Sequence, residues 1–338
     1  MPSPGNCEPA RLLPEFIRHF AACRHRREPM ESLHVLRRVL STLVITLTAG
    51  FGLATIPAKA QPQSAAKIQP GEGRPYEIAD SEVWDVPDPV SRRGYQVFVA
   101  LPPSYAKEPQ RRYPVLYVTD ADYAFPILRQ ISRRLNGEGP KVEEFILVGL
   151  SYAKGEDGAA SRRRDYTPTP KGAGDTAHGQ AAAYQTYLRD QVKPFIAQRY
   201  RTDPGRSVFL GHSYGGLLGA QIVLTEPTMF SGYILGSPSF WFARAHFREL
   251  ESGYAARSKD LPAKIFLYVG EYETVRKGDP RFNKTGDMVG DNRAFENALK
   301  ERKYPGLGLK SVVLNDEDHL SVAPRGFTQG LKYLLPAR

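Results

Sequence analysis

From Gly94 onward the apolar positions fall into short runs set between longer amphipathic stretches. Gly94–Leu101 alternates, with Tyr95, Val97 and Val99 on one side and Gln96, Phe98 and Ala100 on the other, which predicts an early antiparallel strand. Tyr113–Thr119 and Phe145–Leu150 are continuous apolar runs, the pattern of strands buried on both faces. Ser207–Leu210, Gly232–Leu235, Ile265–Val269 and Leu309–Leu314 continue the series. Between them Phe125–Leu135 is amphipathic. Ala181–Tyr200 sets Tyr184, Tyr187, Leu188, Val192, Phe195 and Ile196 along one helical stripe, and Val322–Leu335 predicts a closing helix. Strands alternating with helices predict one α/β domain over residues 81–338, a mostly parallel central sheet with helices on both faces. No repeat or low-complexity tract interrupts it.

The N-terminus follows a different pattern. After Met30, Arg37 and Arg38 form a basic segment, and Val39–Ile56 is uncharged and largely apolar. Ala58-Lys59-Ala60 then supplies the small-x-small pattern of a signal-peptidase site. Residues 1–60 therefore read as a leader, with 1–29 an over-extended start and a signal peptide from Met30. Residues 61–80, opening with the Gln-, Pro- and Gly-rich Gln61–Pro75, read as a linker. The expected destination is periplasmic or secreted, with no stable membrane association once the leader is cleaved. An uncleaved anchor is the alternative, because the apolar run is long for a signal peptide.

Composition narrows the function. Of 338 residues, 41% are apolar and 24% charged, which excludes a mostly disordered chain. Both cysteines, Cys7 and Cys23, lie in the leader, so a disulfide scaffold is excluded. The net charge is +10, but residues 1–60 hold eight Lys/Arg and four Asp/Glu, leaving 38 against 32 beyond them. That mild basic bias, with no basic stripe interleaved with aromatics, gives no sign of a nucleic-acid partner.

The candidate chemistry begins where Ser207–Leu210 runs into Gly211-His212-Ser213-Tyr214-Gly215-Gly216 and then Leu217–Leu224. A serine on a sharp strand-to-helix turn needs neighbours at −2 and +2 without a Cβ, and G-x-S-x-G in this context predicts a nucleophile at Ser213. The Tyr214 amide then points at a developing oxyanion. Beyond the leader there are four histidines. His212 precedes the nucleophile and should point away from it, His178 lies in a polar segment, and His246 lies in an Arg/Glu-rich helical stretch. His319 follows the last predicted strand, where a doubly wound hydrolase presents its base. The orienting acid is expected after Ile265–Val269, in Gly270-Glu271-Tyr272-Glu273. Glu273 is preferred, Glu271 is the alternative, Asp316 and Asp318 are fallbacks, and a Ser-His dyad without an acid remains open.

These segments, together with Gly236-Ser237-Pro238-Ser239-Phe240-Trp241 and Arg164-Asp165-Tyr166-Thr167-Pro168, resemble the putative-esterase family of α/β-hydrolases. That family includes enterochelin-type siderophore esterases and esterase D-like thioesterases. The resemblance covers essentially everything after Ser81. It implies the α/β-hydrolase fold and serine acyl transfer with no metal or other cofactor. Relatives often carry Asp-Gly after the third core strand, where a main-chain amide completes the oxyanion hole. Asp120-Ala121 stands there in this chain, so Ala121 is the expected second donor if its φ is negative.

An exported member looks most like the periplasmic hydrolases of catecholate siderophores, which act on an enterobactin-like trilactone. Arg164 and Trp241 are the candidate substrate-binding residues, forming a basic, aromatic rim for an anionic or catecholate small-molecule ester. Equally, Arg164 pairs with Asp165 to hold its loop, and Trp241 is core. Thr274–Asp291 reads as a flap over the site. The rival functions are an esterase for acylated polysaccharide or small aryl esters, and a non-catalytic binding protein on the same fold.

Overall fold

The computed structural model describes residue 71 and residues 73–338. The expected leader, and residues 61–70 and 72 of the expected linker, lie outside the described residues. Eight strands form one sheet: β1 (Ser81–Asp85), β2 (Tyr95–Ala100), β3 (Tyr113–Val118), β4 (Ile146–Ala153), β5 (Thr202–His212), β6 (Gly232–Gly236), β7 (Lys264–Gly270) and β8 (Gly308–Leu314). Their spatial order is β1-β2-β4-β3-β5-β6-β7-β8. β1, β2 and β4 pair antiparallel, and every other neighbour is parallel. The helices are α1 (Ala121–Leu135), α2 (Gly158–Tyr166), α3 (Ala181–Tyr187), α4 (Lys193–Arg199), α5 (Tyr214–Thr225), α6 (Arg244–Arg257), α7 (Met288–Glu301) and α8 (Val322–Leu334). This is the α/β-hydrolase fold.

The apolar runs give strands buried on both sides because their side chains alternate between two cores. Val115, Tyr117, Phe209, Ile265 and Leu267 pack into one core with residues of α2 through α7. Leu116, Val118, Val208, Leu210, Phe266 and Tyr268 pack into the other with α1 and α8. The parallel register aligns strand ends: His212 lies beside Gly236, Gly236 beside Tyr268, and Gly270 beside Leu314. The chain therefore leaves β5, β6, β7 and β8 at the same edge of the sheet, and the segments carrying Ser213, Ser237, Glu273 and His319 meet there.

Several elements depart from the sequence pattern. β1 was not expected, since an exposed edge strand shows no apolar periodicity. Ala181–Tyr200 is helical through Arg199 as expected, but not uniformly α, because a π-turn at Leu188–Val192 lies between α3 and α4. Pro194 supplies the reason. It has no N–H for a bond four residues back, and its ring crowds the carbonyl there. Lys193 N–H donates instead to Leu188 O, widening the turn. Arg162–Tyr166, expected in a loop, belongs to α2, which the Asp157 side chain caps through Ala160 N–H. The expected flap Thr274–Asp291 ends in the first turn of α7, capped by Asp287 through Gly290 N–H. Among the described residues no helix is long and apolar enough to cross a membrane.

Candidate active site

Ser213 stands between β5 and α5 with φ 61° and ψ −118°, a strained conformation for a residue with a Cβ. The glycines around it make the turn possible. A Cβ on Gly211 would sit 2.2 Å from Gly215 O, and one on Gly215 would sit 2.2 Å from Thr119 Oγ1. The main chain is pinned by Ser213 N–H donating to Gly236 O at 2.8 Å and Leu217 N–H donating to Ser213 O at 3.0 Å.

Ser213 Oγ lies 3.0 Å from His319 Nε2, and His319 Nδ1 lies 2.6 Å from Glu273 Oε2. Glu273 is fully buried at the end of a 3-10 turn after β7. Its other oxygen accepts from Ser237 Oγ at 2.6 Å and from Gly270 N–H at 2.8 Å. Burial alone would raise this carboxyl, but the His319 contact and those two donors outweigh it, and Glu273 is held below the ordinary glutamate range. Glu271 turns away and accepts from Asp316 N–H at 3.0 Å, bracing the loop that carries the histidine. Asp318 caps the same loop, accepting from Leu320 and Ser321 N–H at 2.8 Å each. Of the four carboxylates considered, Glu273 is therefore the one on the imidazole.

The two expected oxyanion donors, Tyr214 and Ala121, are the first residues of α5 and α1, where a helix provides no acceptor for the main-chain amide. Ala121 has a negative φ and the left-handed residue is Asp120, at φ 55°. The buried Asp120 carboxylate holds that turn through Arg162 Nε at 2.8 Å, Arg162 Nη2 at 3.1 Å and the Tyr152 hydroxyl at 2.8 Å. Arg162 also lies 5.2 Å above the Tyr214 ring, so one guanidinium braces both helix starts.

The family model described as "Putative esterase" matches residues 90–306. The chain belongs to that family. As a family member it is a serine ester hydrolase. Its relatives include the ferri-bacillibactin esterase BesA of Bacillus subtilis, 28% identical over 81% of this chain and 96% of that protein. A siderophore enterobactin esterase of Emericella nidulans is 26% identical over 79% of this chain and 96% of its own. Among solved structures, an IroE-like serine hydrolase from Shewanella oneidensis superposes with a TM-score of 0.65 at 25% identity, covering 75% of this chain and 80% of that one.

In this esterase the expected substrate residues separate. Arg164 is buried and forks onto Asp165 with both bonds at 2.9 Å, and it also pairs with Glu156. Asp165 further accepts from Tyr95 Oη at 3.0 Å and Ser161 Oγ at 3.1 Å. Arg164 thus pairs with carboxylates of its own segment, and Asp165 in turn ties α2 to β2 through Tyr95. The Arg164 charge is neutralised inside the fold because an unpaired buried guanidinium would be too costly. Trp241 is 43% exposed in the 3-10 turn Phe240–Phe242, its ring 6.1 Å from that of Tyr214. Phe242 lies 5.7 Å from Tyr214 and stacks on His178 at 5.4 Å, with Lys171 Nζ 5.4 Å above its ring. The rim beside Ser213 is therefore aromatic, with Lys171 over Phe242 and the exposed Arg163 near Tyr214 as its cations, while Arg162 is paired with Asp120. The sequence reading missed Arg162 as the partner of Asp120, and Ser237 as the second support of Glu273. Neither contact has a sequence signal, since each joins residues from separate strands or helices.

Proposed function

We propose that this protein is an exported serine esterase that hydrolyses siderophore ester bonds through Ser213, His319 and Glu273. The observation that carries the reading is the unbroken chain of contacts from Ser213 Oγ through the His319 ring to the buried Glu273 carboxylate. Glu273 accepts a hydrogen bond from His319 Nδ1–H, which leaves Nε2 bare and facing the serine hydroxyl. Nε2 takes the proton as Oγ attacks the ester carbonyl. The Tyr214 and Ala121 amides, reinforced by the positive ends of α5 and α1, hold the oxyanion. The imidazolium then protonates the departing alkoxide, leaving an acyl-serine. Water, deprotonated by the same Nε2, attacks that ester and releases the acid.

The substrate reading rests on two kinds of support. The rim of Tyr214, Trp241 and Phe242 with Arg163 and Lys171 suits flat, anionic aryl groups, which stack on rings and attract cations. Relatives whose names record siderophore esters match nearly their whole length. Export is supported by the signal-peptide pattern of residues 30–60. The decisive test labels the mature protein with a fluorophosphonate and profiles a catecholate trilactone, a small aryl ester and an acetylated polysaccharide side by side. A single adduct on Ser213, absent in Ser213→Ala, with the trilactone turned over best, is the expected result. No adduct on folded protein overturns the mechanism, and preference for another ester overturns the substrate class.

A further inference from the structure

His212, adjacent to the nucleophile, lies outside the proton relay but is in contact with it. Its ring is buried beneath the site, 4.7 Å from the His319 ring and stacked on Tyr268 at 6.0 Å. His212 Nε2 lies 2.8 Å from the main-chain carbonyl oxygen of His319. A carbonyl only accepts, so Nε2 carries the proton and Nδ1 is bare, accepting from the Tyr268 hydroxyl at 3.3 Å. The tautomer is thereby set from both sides.

We propose that His212 is a positioning residue, whose Nε2–H fixes the main chain of His319 and so aims the base at Ser213. The proposal rests on the reading of His319 as the base. The loop between β8 and α8 is otherwise held at its flanks. Glu317 O accepts from Tyr272 N–H at 2.9 Å, and Asp318 caps the residues that follow. His319 itself has exposed neighbours, Asp318 and Leu320, so packing does not confine its main chain. His212 does, and it comes from the turn that carries the nucleophile. Base and nucleophile thus share one rigid connection. The platform beneath is equally tight: the Tyr268 ring fills the space that a Cβ on Gly236 or Gly326 would occupy, with contacts of 2.0 and 2.4 Å. Burial also keeps the His212 imidazole neutral, its pKa pushed down to about 3, so no second cation opposes the imidazolium that forms on His319.

The test compares His212→Phe, which keeps a flat ring without the donor, with His212→Gln, whose amide N–H reaches the Nε2 position. His319→Ala is the reference, and each variant's thermal unfolding is recorded. In His212→Phe, kcat should fall about 10- to 100-fold with KM within about twofold of wild type, the loss expected when a catalytic group shifts by about 1 Å. His212→Gln should recover most of kcat, and the downfield signal of the proton between His319 and Glu273 should persist in Gln and broaden in Phe. Phe and Gln variants of equal kcat, whether both active or both impaired, overturn the proposal. An active His319→Ala overturns the underlying reading instead. If His212→Phe does not fold, the Gln variant decides alone: a folded Gln variant that lost both kcat and the downfield signal overturns the proposal, and retention of both supports it.

Discussion

Replacing Glu273 with Gln probes the relay at its buried end with almost no change in shape. Oε1 accepts from Ser237 Oγ at 2.6 Å and Gly270 N–H at 2.8 Å, while Oε2 faces His319 Nδ1 at 2.6 Å. A carboxamide must place its carbonyl where Oε1 stands, because an NH2 there would confront the Gly270 amide. Its NH2 then faces Nδ1, which can only receive that bond if bare. The imidazole proton moves to Nε2, which donates to Ser213 and can no longer take its proton. Trapping the wrong tautomer in this way lowers kcat about 10⁴-fold in a Ser-His-Asp site, or about 5 kcal/mol of transition-state stabilisation. Glu273→Ala leaves both tautomers open and should lose less. Initial rates on an aryl ester, with thermal unfolding of each variant, provide the assay. A Gln variant within about tenfold of wild type, or faster than the Ala variant, would refute the tautomer argument. Stability adds a check with a definite sign. The folded-state carboxyl lies below its ordinary range, so the ionised relay stabilises the fold at neutral pH. That contribution is lost as pH falls through the ordinary glutamate range and below. The gap in stability between wild type and Glu273→Gln should therefore narrow on acidification.

Arg164→Ala strands the buried Asp165 and should destabilise the fold by about 3–5 kcal/mol while leaving KM unchanged, read by urea unfolding and steady-state kinetics. Trp241→Ala should do the reverse, raising KM for an aryl or catecholate ester several-fold with an unaltered melting temperature. The opposite result for either residue would reverse their assignment. Gly211→Ala places a Cβ 2.2 Å from the Gly215 carbonyl oxygen, so the elbow must reorganise; fluorophosphonate labelling of Ser213 should fail even where the far-UV circular dichroism is native. His212 is held neutral in the fold, with a pKa of about 3 against about 6.5 unfolded, so below about pH 6.5 the unfolded chain binds a proton that the folded one does not. Stability should fall by up to about 1.4 kcal/mol per pH unit across that window, and His212→Gln should flatten this slope.

Much of the molecule is legible in the chain because the relevant signals are local. Two-sided burial leaves continuous apolar runs, which mark β3 through β7, whereas β8 is a half-exposed edge strand marked only by a shorter run. The G-x-S-x-G turn announces itself because steric exclusion acts within five residues, and His319 follows because the topology puts a histidine after the last strand. Edge strand β1 and helix α2 were missed for the converse reason: neither presents an apolar face of its own. The carboxylates Glu271 and Glu273 stand two residues apart after the same strand, and the sequence prefers Glu273 without excluding Glu271. They differ because a single 3-10 turn buries one against His319 and sends the other to the Asp316 amide. Arg162 and Arg164 likewise stand two apart on one helix. One clamps Asp120 at the start of α1, and the other is spent on Asp165 and Glu156. What the sequence by itself determined is most of the buried strands, the turn that carries Ser213 and the loop that carries His319, each dictated by periodicity, local sterics or chain order. That Glu273 rather than Glu271 meets His319, that Arg162 meets Asp120 and that His212 meets the His319 carbonyl was settled only in three dimensions, because each contact depends on a donor or acceptor that another strand or helix brings within 3 Å.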